Sequence, residues 1–202
     1  MSFLRSCLVS TRSARLIPLL LLPLFTQACG SSYKTKKVKN YQLALVDDNA
    51  SFKTEFKALI GDFNSYAGLD VLHYADSAAD ANSAIVITKG LQSRDGKVGW
   101  GQWLSETKSD SAMTQLEGRR PNRTVDYSMR LEFDSDYFTS RIPGSDHTKL
   151  IDMQKLFFHE VGHGLEMVHN ETDRSDMMYP DVVGDKDFPR FFKSVRAYMS
   201  DD

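Results

Sequence analysis

The stretch HEVGHGLEMVHN, residues 159 to 170, gathers the side chains of this chain best suited to chemistry. On a helix, residues four apart share a face, so His159 and His163 would present two imidazoles to a single ion. Glu160 follows the first of them and can reach a water held at that ion. Zinc accepts imidazole nitrogen at about 2.0–2.1 Å and keeps an open position in catalytic sites. There it lowers the pKa of bound water and polarises a carbonyl, while a neighbouring carboxylate moves the proton to the leaving amine. His169 lies just beyond the helix as a plausible third ligand, after Gly164, which loosens the last turn. A glutamate ligand from a second helix is disfavoured, because no suitable acidic helical motif follows His163. A closed structural site would need a fourth protein ligand. No cysteine lies nearby, so Glu166 or Asp173 would have to supply it.

These residues need a scaffold that holds them still. Apolar positions at Leu150, Ile151, Leu156, Phe157 and Val161 predict a helix from Lys149 to about Gly164, with Asp146 or Thr148 as its cap. Upstream, YQLALVDD reads as a strand running into Asp47, Asp48 and Asn49, which suit a turn or a helix cap. Phe52, Phe56, Leu59, Ile60 and Phe63 then follow helical spacing until Gly68. LDVLHYAD and SAIVITKG read as two further strands, parted by a small-residue turn around Ala78–Ser83. This order predicts an α/β domain. DGKVGWGQWL reads as a glycine-weakened strand with Val98, Trp100, Gln102 and Leu104 on one face. VDYSMRLEFD alternates more cleanly, with Tyr127, Met129, Leu131 and Phe133 on one side. The polar stretch between them, from Ser105 to Thr124, reads as loop. Phe191, Val195 and Met199 mark an amphipathic C-terminal helix. His73 and His147 have no metal-like neighbours in sequence.

Downstream of the histidines comes SDMMYP, residues 175 to 180. Together with HEVGHGLEMVH it resembles the metzincin clan of zinc metallopeptidases, the matrixin-like members in particular. Their pattern is H-E-x-x-H-x-x-G-x-x-H followed by a methionine turn. The resemblance is specific over residues 151–180 and looser over 41–200. It implies a metzincin-like catalytic domain with a twisted, mostly parallel sheet, an active-site helix, a methionine turn and a C-terminal helix. His159, His163 and His169 fall on its ligand positions and Glu160 on its base. Met178 falls on the turn methionine and is followed by Tyr179. An astacin-like register would put Met177 in that place, with Tyr179 near the metal. The glycine of the pattern is Glu166 here. A side chain in the left-handed conformation expected there costs on the order of 1 kcal/mol. The resemblance also implies a substrate lying extended along an edge strand, for which KVGWGQWL is the candidate.

The amino end reads as a targeting segment. Arg5, Arg12 and Arg15 precede the apolar run LIPLLLLPLF, which is too short for a comfortable membrane span. FTQAC then resembles a bacterial lipobox, with Cys29 as the lipidated residue. The expected division is a lipoprotein signal peptide over 1–28, a flexible tether over 29–40 and the metallopeptidase domain over 41–202. Lys34, Lys36, Lys37 and Lys39 of the tether either rest on anionic headgroups or are simply solvated. The formal charge of −2 gives no reason to expect a nucleic-acid partner. The sequence thus predicts a monomeric zinc endopeptidase of the bacterial cell envelope, held at the membrane through Cys29 and acting on protein or peptide substrates. The alternative is a tethered zinc-containing binding or scaffold lipoprotein without turnover.

Overall fold

The computed structural model describes residues 35–46, 50–109, 123–136 and 152–200. Cys29, Asp146, His147 and Thr148 lie outside them, as do Asp47, Asp48 and Asn49. Six strands form one sheet: β1 (Thr35–Val38), β2 (Tyr41–Leu45), β3 (Leu72–Tyr74), β4 (Ser83–Thr88), β5 (Gly99–Ser109) and β6 (Arg123–Asp134). The helices are α1 (Ala50–Ala67), α2 (Leu91–Asp95), α3 (Met153–Gly164) and α4 (Phe188–Ser200), with a 3-10 turn at Ala78–Asp80. The architecture is mixed α/β, and every strand pairing is parallel except that of β5 with β6.

The topology sets the site at one end of the sheet. β3, β2, β4 and β6 lie side by side in parallel. β5 runs antiparallel along all of β6, from Gly99 opposite Phe133 to Ser109 opposite Arg123. A strand has two edges, so β1 and β4 share the other edge of β6, β1 beside Arg123–Asp126 and β4 beside Arg130–Asp134. Among the described residues β5 pairs with no further strand and forms the rim of the sheet. Two stretches differ from the sequence reading. The sheet begins at Thr35, within the stretch expected to be tether, and Lys39 is tied down because its ammonium sits 4.2 Å over the Tyr198 ring. β5 also continues to Ser109, so its polar end is strand rather than loop. An exposed arm has no apolar alternation to reveal it, and pairing with β6 keeps it extended.

The core explains why α3 is rigid. Met129, Leu131 and Phe133 alternate on the buried face of β6, as expected. Against them and one another pack the aromatic rings of α1, α3 and α4. Phe56 lies 5.5 Å from Phe133, Phe63 meets Phe192 edge-on at 5.1 Å, and Phe158 meets Phe192 edge-on at 5.3 Å. Offset and edge-to-face pairs of this kind add about 0.5–1.5 kcal/mol each beyond area burial. α3 begins at Met153 because the Asp152 carboxylate accepts from the amides of Gln154 and Lys155. α4 starts in the same way at Asp187, whose carboxylate accepts from the Arg190 amide at 3.0 Å.

Candidate metal centre

α3 brings His159, Glu160 and His163 to the cleft beneath β5. His159 and Glu160 are each 4% exposed. Their approach to the strand depends on two glycines. A Cβ at Gly99 would lie 2.6 Å from Glu160 Oε1, and one at Gly101 would lie 2.1 Å from the Glu160 carbonyl oxygen. The face of β5 turned to the helix is therefore the Gly99–Gly101 face, while Trp100 and Gln102 point away. A glycine inside a strand marks close approach of another backbone, and that signal in GWGQW is what the sequence reading left unused. Gly162 and Gly164 do the same on other sides of α3, against Met178 and Met129 respectively.

The helix closes in a Schellman motif. The Met167 amide donates to the Gly162 carbonyl at 2.9 Å, and the Glu166 amide donates to the His163 carbonyl at 3.1 Å. That motif requires a left-handed residue, and Glu166 takes it with φ 64°, the one non-glycine with positive φ among the described residues. Gly164 does not share in the turn. Beyond it the chain returns His169 to the other two histidines.

The three rings then converge through one atom each. His163 Nε2 and His169 Nε2 are 3.1 Å apart, and His169 Nε2 and His159 Nε2 are 3.3 Å apart. Their other nitrogens explain the direction. His159 Nδ1 lies 2.7 Å from the Met177 carbonyl, and His163 Nδ1 lies 2.9 Å from the Met167 carbonyl. A carbonyl only accepts, so both Nδ1 atoms carry hydrogen and the neutral rings aim bare lone pairs at a shared point. Ligands at about 2.05 Å around a tetrahedral ion would stand about 3.3 Å apart, close to the spacing of His169 from each of the other two. Burial keeps the rings neutral: it holds His159 down at about 4 and lowers His163 as well. Three such nitrogens could hold a metal ion, and no fourth His, Cys, Asp or Glu joins them among the described residues. Asp173 is instead held by Arg190 at 2.6 Å.

Glu160 stands beside this cluster with its carboxyl pushed up to about 8 by burial, against an opposing pull from the Gly101 amide, which donates to it, and from the charge of Lys97. The cleft they share encloses about 400 Å³, and Leu156, Pro180 and Val182 supply its apolar wall. The segment after His169 is fastened by Asp176, which accepts from the Met178 amide at 2.9 Å and the Asn170 side-chain amide at 2.8 Å. The Met178 carbonyl in turn accepts from the Asn170 amide at 2.9 Å. Met177 is fully buried and gives His159 its carbonyl, while the Met178 thioether packs on Gly162. Tyr179 lines a neighbouring cavity with Arg174 and Asp185, and the Lys186 ammonium lies 5.3 Å from its ring. No family model matches the chain, and no curated protein matches it either.

Proposed function

We propose that this chain is a zinc-dependent endopeptidase of metzincin-like type, with His159, His163 and His169 as metal ligands and Glu160 as general base. The observation that carries the reading is the convergence of three Nε2 atoms, two of them held as bare lone pairs by Nδ1–carbonyl contacts, beside a buried carboxyl and a cleft. A closed structural site would bring a fourth protein ligand, and none is present among the described residues. Zinc in such a site supplies Lewis-acid chemistry, favouring hydroxide over water and polarising a peptide carbonyl.

The chain's own groups do the rest. The Met177 and Met167 carbonyls fix the His159 and His163 tautomers, and accepting the Nδ1 hydrogen in this way also raises the basicity of Nε2. Glu160, with a proton affinity near neutral pH, takes a proton from the attacking water and passes it to the departing amine nitrogen. The water oxygen forms the new bond to carbon as the C–N bond breaks. The outer edge of β5, which pairs with no strand among the described residues, borders the cleft and is suited to pair with an extended peptide, with the Leu156 and Val182 wall beside it taking a side chain. A lipid anchor at Cys29 would present this domain at the bacterial envelope.

The test is metal analysis together with a broad peptide-library cleavage assay. Glu160→Ala should bind zinc stoichiometrically and cleave nothing. Cleavage retained in that variant overturns the mechanism. Zinc without cleavage in the unaltered chain favours the binding or scaffold lipoprotein instead.

A further inference from the structure

We propose that Arg190 is a positioning residue, whose guanidinium clasps Asp173 and Asp176 and so fixes the segment that orients two of the three histidines. The inference rests on the metal reading of those histidines and adds how that segment is tied to the rest of the domain. His163 is locked close to its own helix, by the Met167 carbonyl of the turn that closes α3. His159 depends instead on the Met177 carbonyl, far along the chain. His169 stands at the start of the same segment. Whatever holds residues 169–178 therefore decides where two of the three rings sit.

The clasp comes from α4. Arg190 Nη1 donates to Asp173 Oδ2 at 2.6 Å, and Arg190 Nη2 lies 3.4 Å from Asp176 Oδ2. One planar guanidinium thus reaches two carboxylates, a fork that an ammonium does not reproduce. Asp176 passes the constraint on in both directions. Its Oδ1 accepts from the Met178 amide, next to Met177, and its Oδ2 accepts from the side chain of Asn170, next to His169. Two further contacts dock the same parts together. The Asp187 amide donates to the Ser175 carbonyl at 2.7 Å, and the Lys186 ammonium donates to the Arg174 carbonyl at 2.9 Å. Phe191, Phe192 and Val195 bury α4 in the core, so the segment is tied to a fixed body. Arg190 lies in the first turn of α4, where a cation opposes the helix dipole. The two carboxylates offset that opposition. An open surface ion pair contributes little, but the Asp176 side chain is only 17% exposed and already fixed by its other bonds.

The experiment compares the full chain with Arg190→Gln, Arg190→Lys, Asp173→Asn and the Gln/Asn double variant in two measurements. Arg196→Gln is the control, since its guanidinium is on the same helix but bonds the Ala67 carbonyl instead. The first measurement is zinc affinity by competition with a chromophoric chelator. The second is solvent exchange of the His159 and His163 Nδ1 hydrogens, followed by NMR in the metal-free protein. Arg190→Gln should weaken zinc affinity about two- to fivefold, and Arg190→Lys should restore part of it. Asp173→Asn should lose less than Arg190→Gln, and the double variant no more than Arg190→Gln, because one clasp is removed. Exchange at His159 should quicken in Arg190→Gln while that at His163 stays as in the parent. Arg196→Gln should match the parent in both measurements. Unchanged affinity and His159 exchange in Arg190→Gln, or equal quickening at His159 and His163, overturn the clasp. If the parent chain takes up no zinc, the metal reading fails, and the clasp stands or falls on the exchange of the two Nδ1 hydrogens.

Discussion

Gly101 and the Glu160 carbonyl occupy the same space that a side chain would need: a Cβ on residue 101 would sit 2.1 Å from that oxygen. The obstacle is backbone, which cannot swing aside as the end of a flexible side chain can. Gly101→Ala should therefore push α3 off β5, with an overpacking cost of about 1–3 kcal/mol. Glu160 moves with the helix, so turnover should fall by more than the stability loss alone explains. Thermal unfolding and peptide cleavage, measured on the same preparation, check both. Normal turnover in Gly101→Ala would show that the close approach is dispensable.

Removing the metal should loosen the centre. A ligand that binds only the folded state stabilises it by about 4 kcal/mol at a thousandfold excess over its dissociation constant. Chelation should lower the melting temperature accordingly, and His169→Ala should abolish most of the difference between metal-loaded and metal-free protein. Differential scanning calorimetry with and without zinc measures it. A His169→Ala protein stabilised as fully as the parent removes His169 from the ligand set.

The metal-free protein should have an unusual pH profile. His159 is held down at about 4 from its ordinary 6.5, so the unfolded chain binds the extra proton between those values and stability falls on acidification there. Glu160 is pushed up to about 8 from 4.5, so the folded chain binds the extra proton and stability falls as pH rises through that range. The two oppose each other between 4.5 and 6.5, and the lowering of His163 by burial tips the balance there toward a loss on acidification. Above 6.5 only the Glu160 effect remains, a loss of about 2 kcal/mol by pH 8 at about 1.4 kcal/mol per pH unit. Denaturant titrations across this range test it, and Glu160→Gln should flatten the alkaline side.

Asp176 should matter beyond its own hydrogen bonds. Asp176→Ala strips the Met178 amide and the Asn170 side chain of their acceptor, at about 1–3 kcal/mol for the buried share. Because the adjacent Met177 carbonyl orients His159, zinc affinity should fall too. Competition with a chelator measures it. A variant that loses stability but binds zinc as tightly as the parent would separate this turn from the metal centre.

The parts legible in the sequence are those governed by local periodicity. Phe52 to Phe63 marked α1, Met129 to Phe133 marked the buried face of β6, and His159 with His163 marked one face of α3. The left-handed place of Glu166 was readable too, from a motif position that calls for glycine. What escaped depends on partners distant in the chain. Gly99 and Gly101 looked like weakness in a strand until Glu160 was placed against them. The outer half of β5 has no hydrophobic signature, and only its register with β6 makes it a strand. Apolar spacing that runs back to Leu150 points to Asp146 or Thr148 as the α3 cap, whereas the helix is capped by Asp152.

The pairing of β1 with Arg123–Asp126 sets where the chain enters the sheet relative to the cleft. Thr35 enters the sheet opposite Arg123, whereas Gly101, at the cleft, lies opposite Leu131. Eight residues of β6 separate the two levels, roughly 27 Å at a strand's rise of about 3.4 Å per residue. The sheet thus acts as a spacer. The level at which β1 joins β6 and the level of the cleft lie toward opposite ends of that strand.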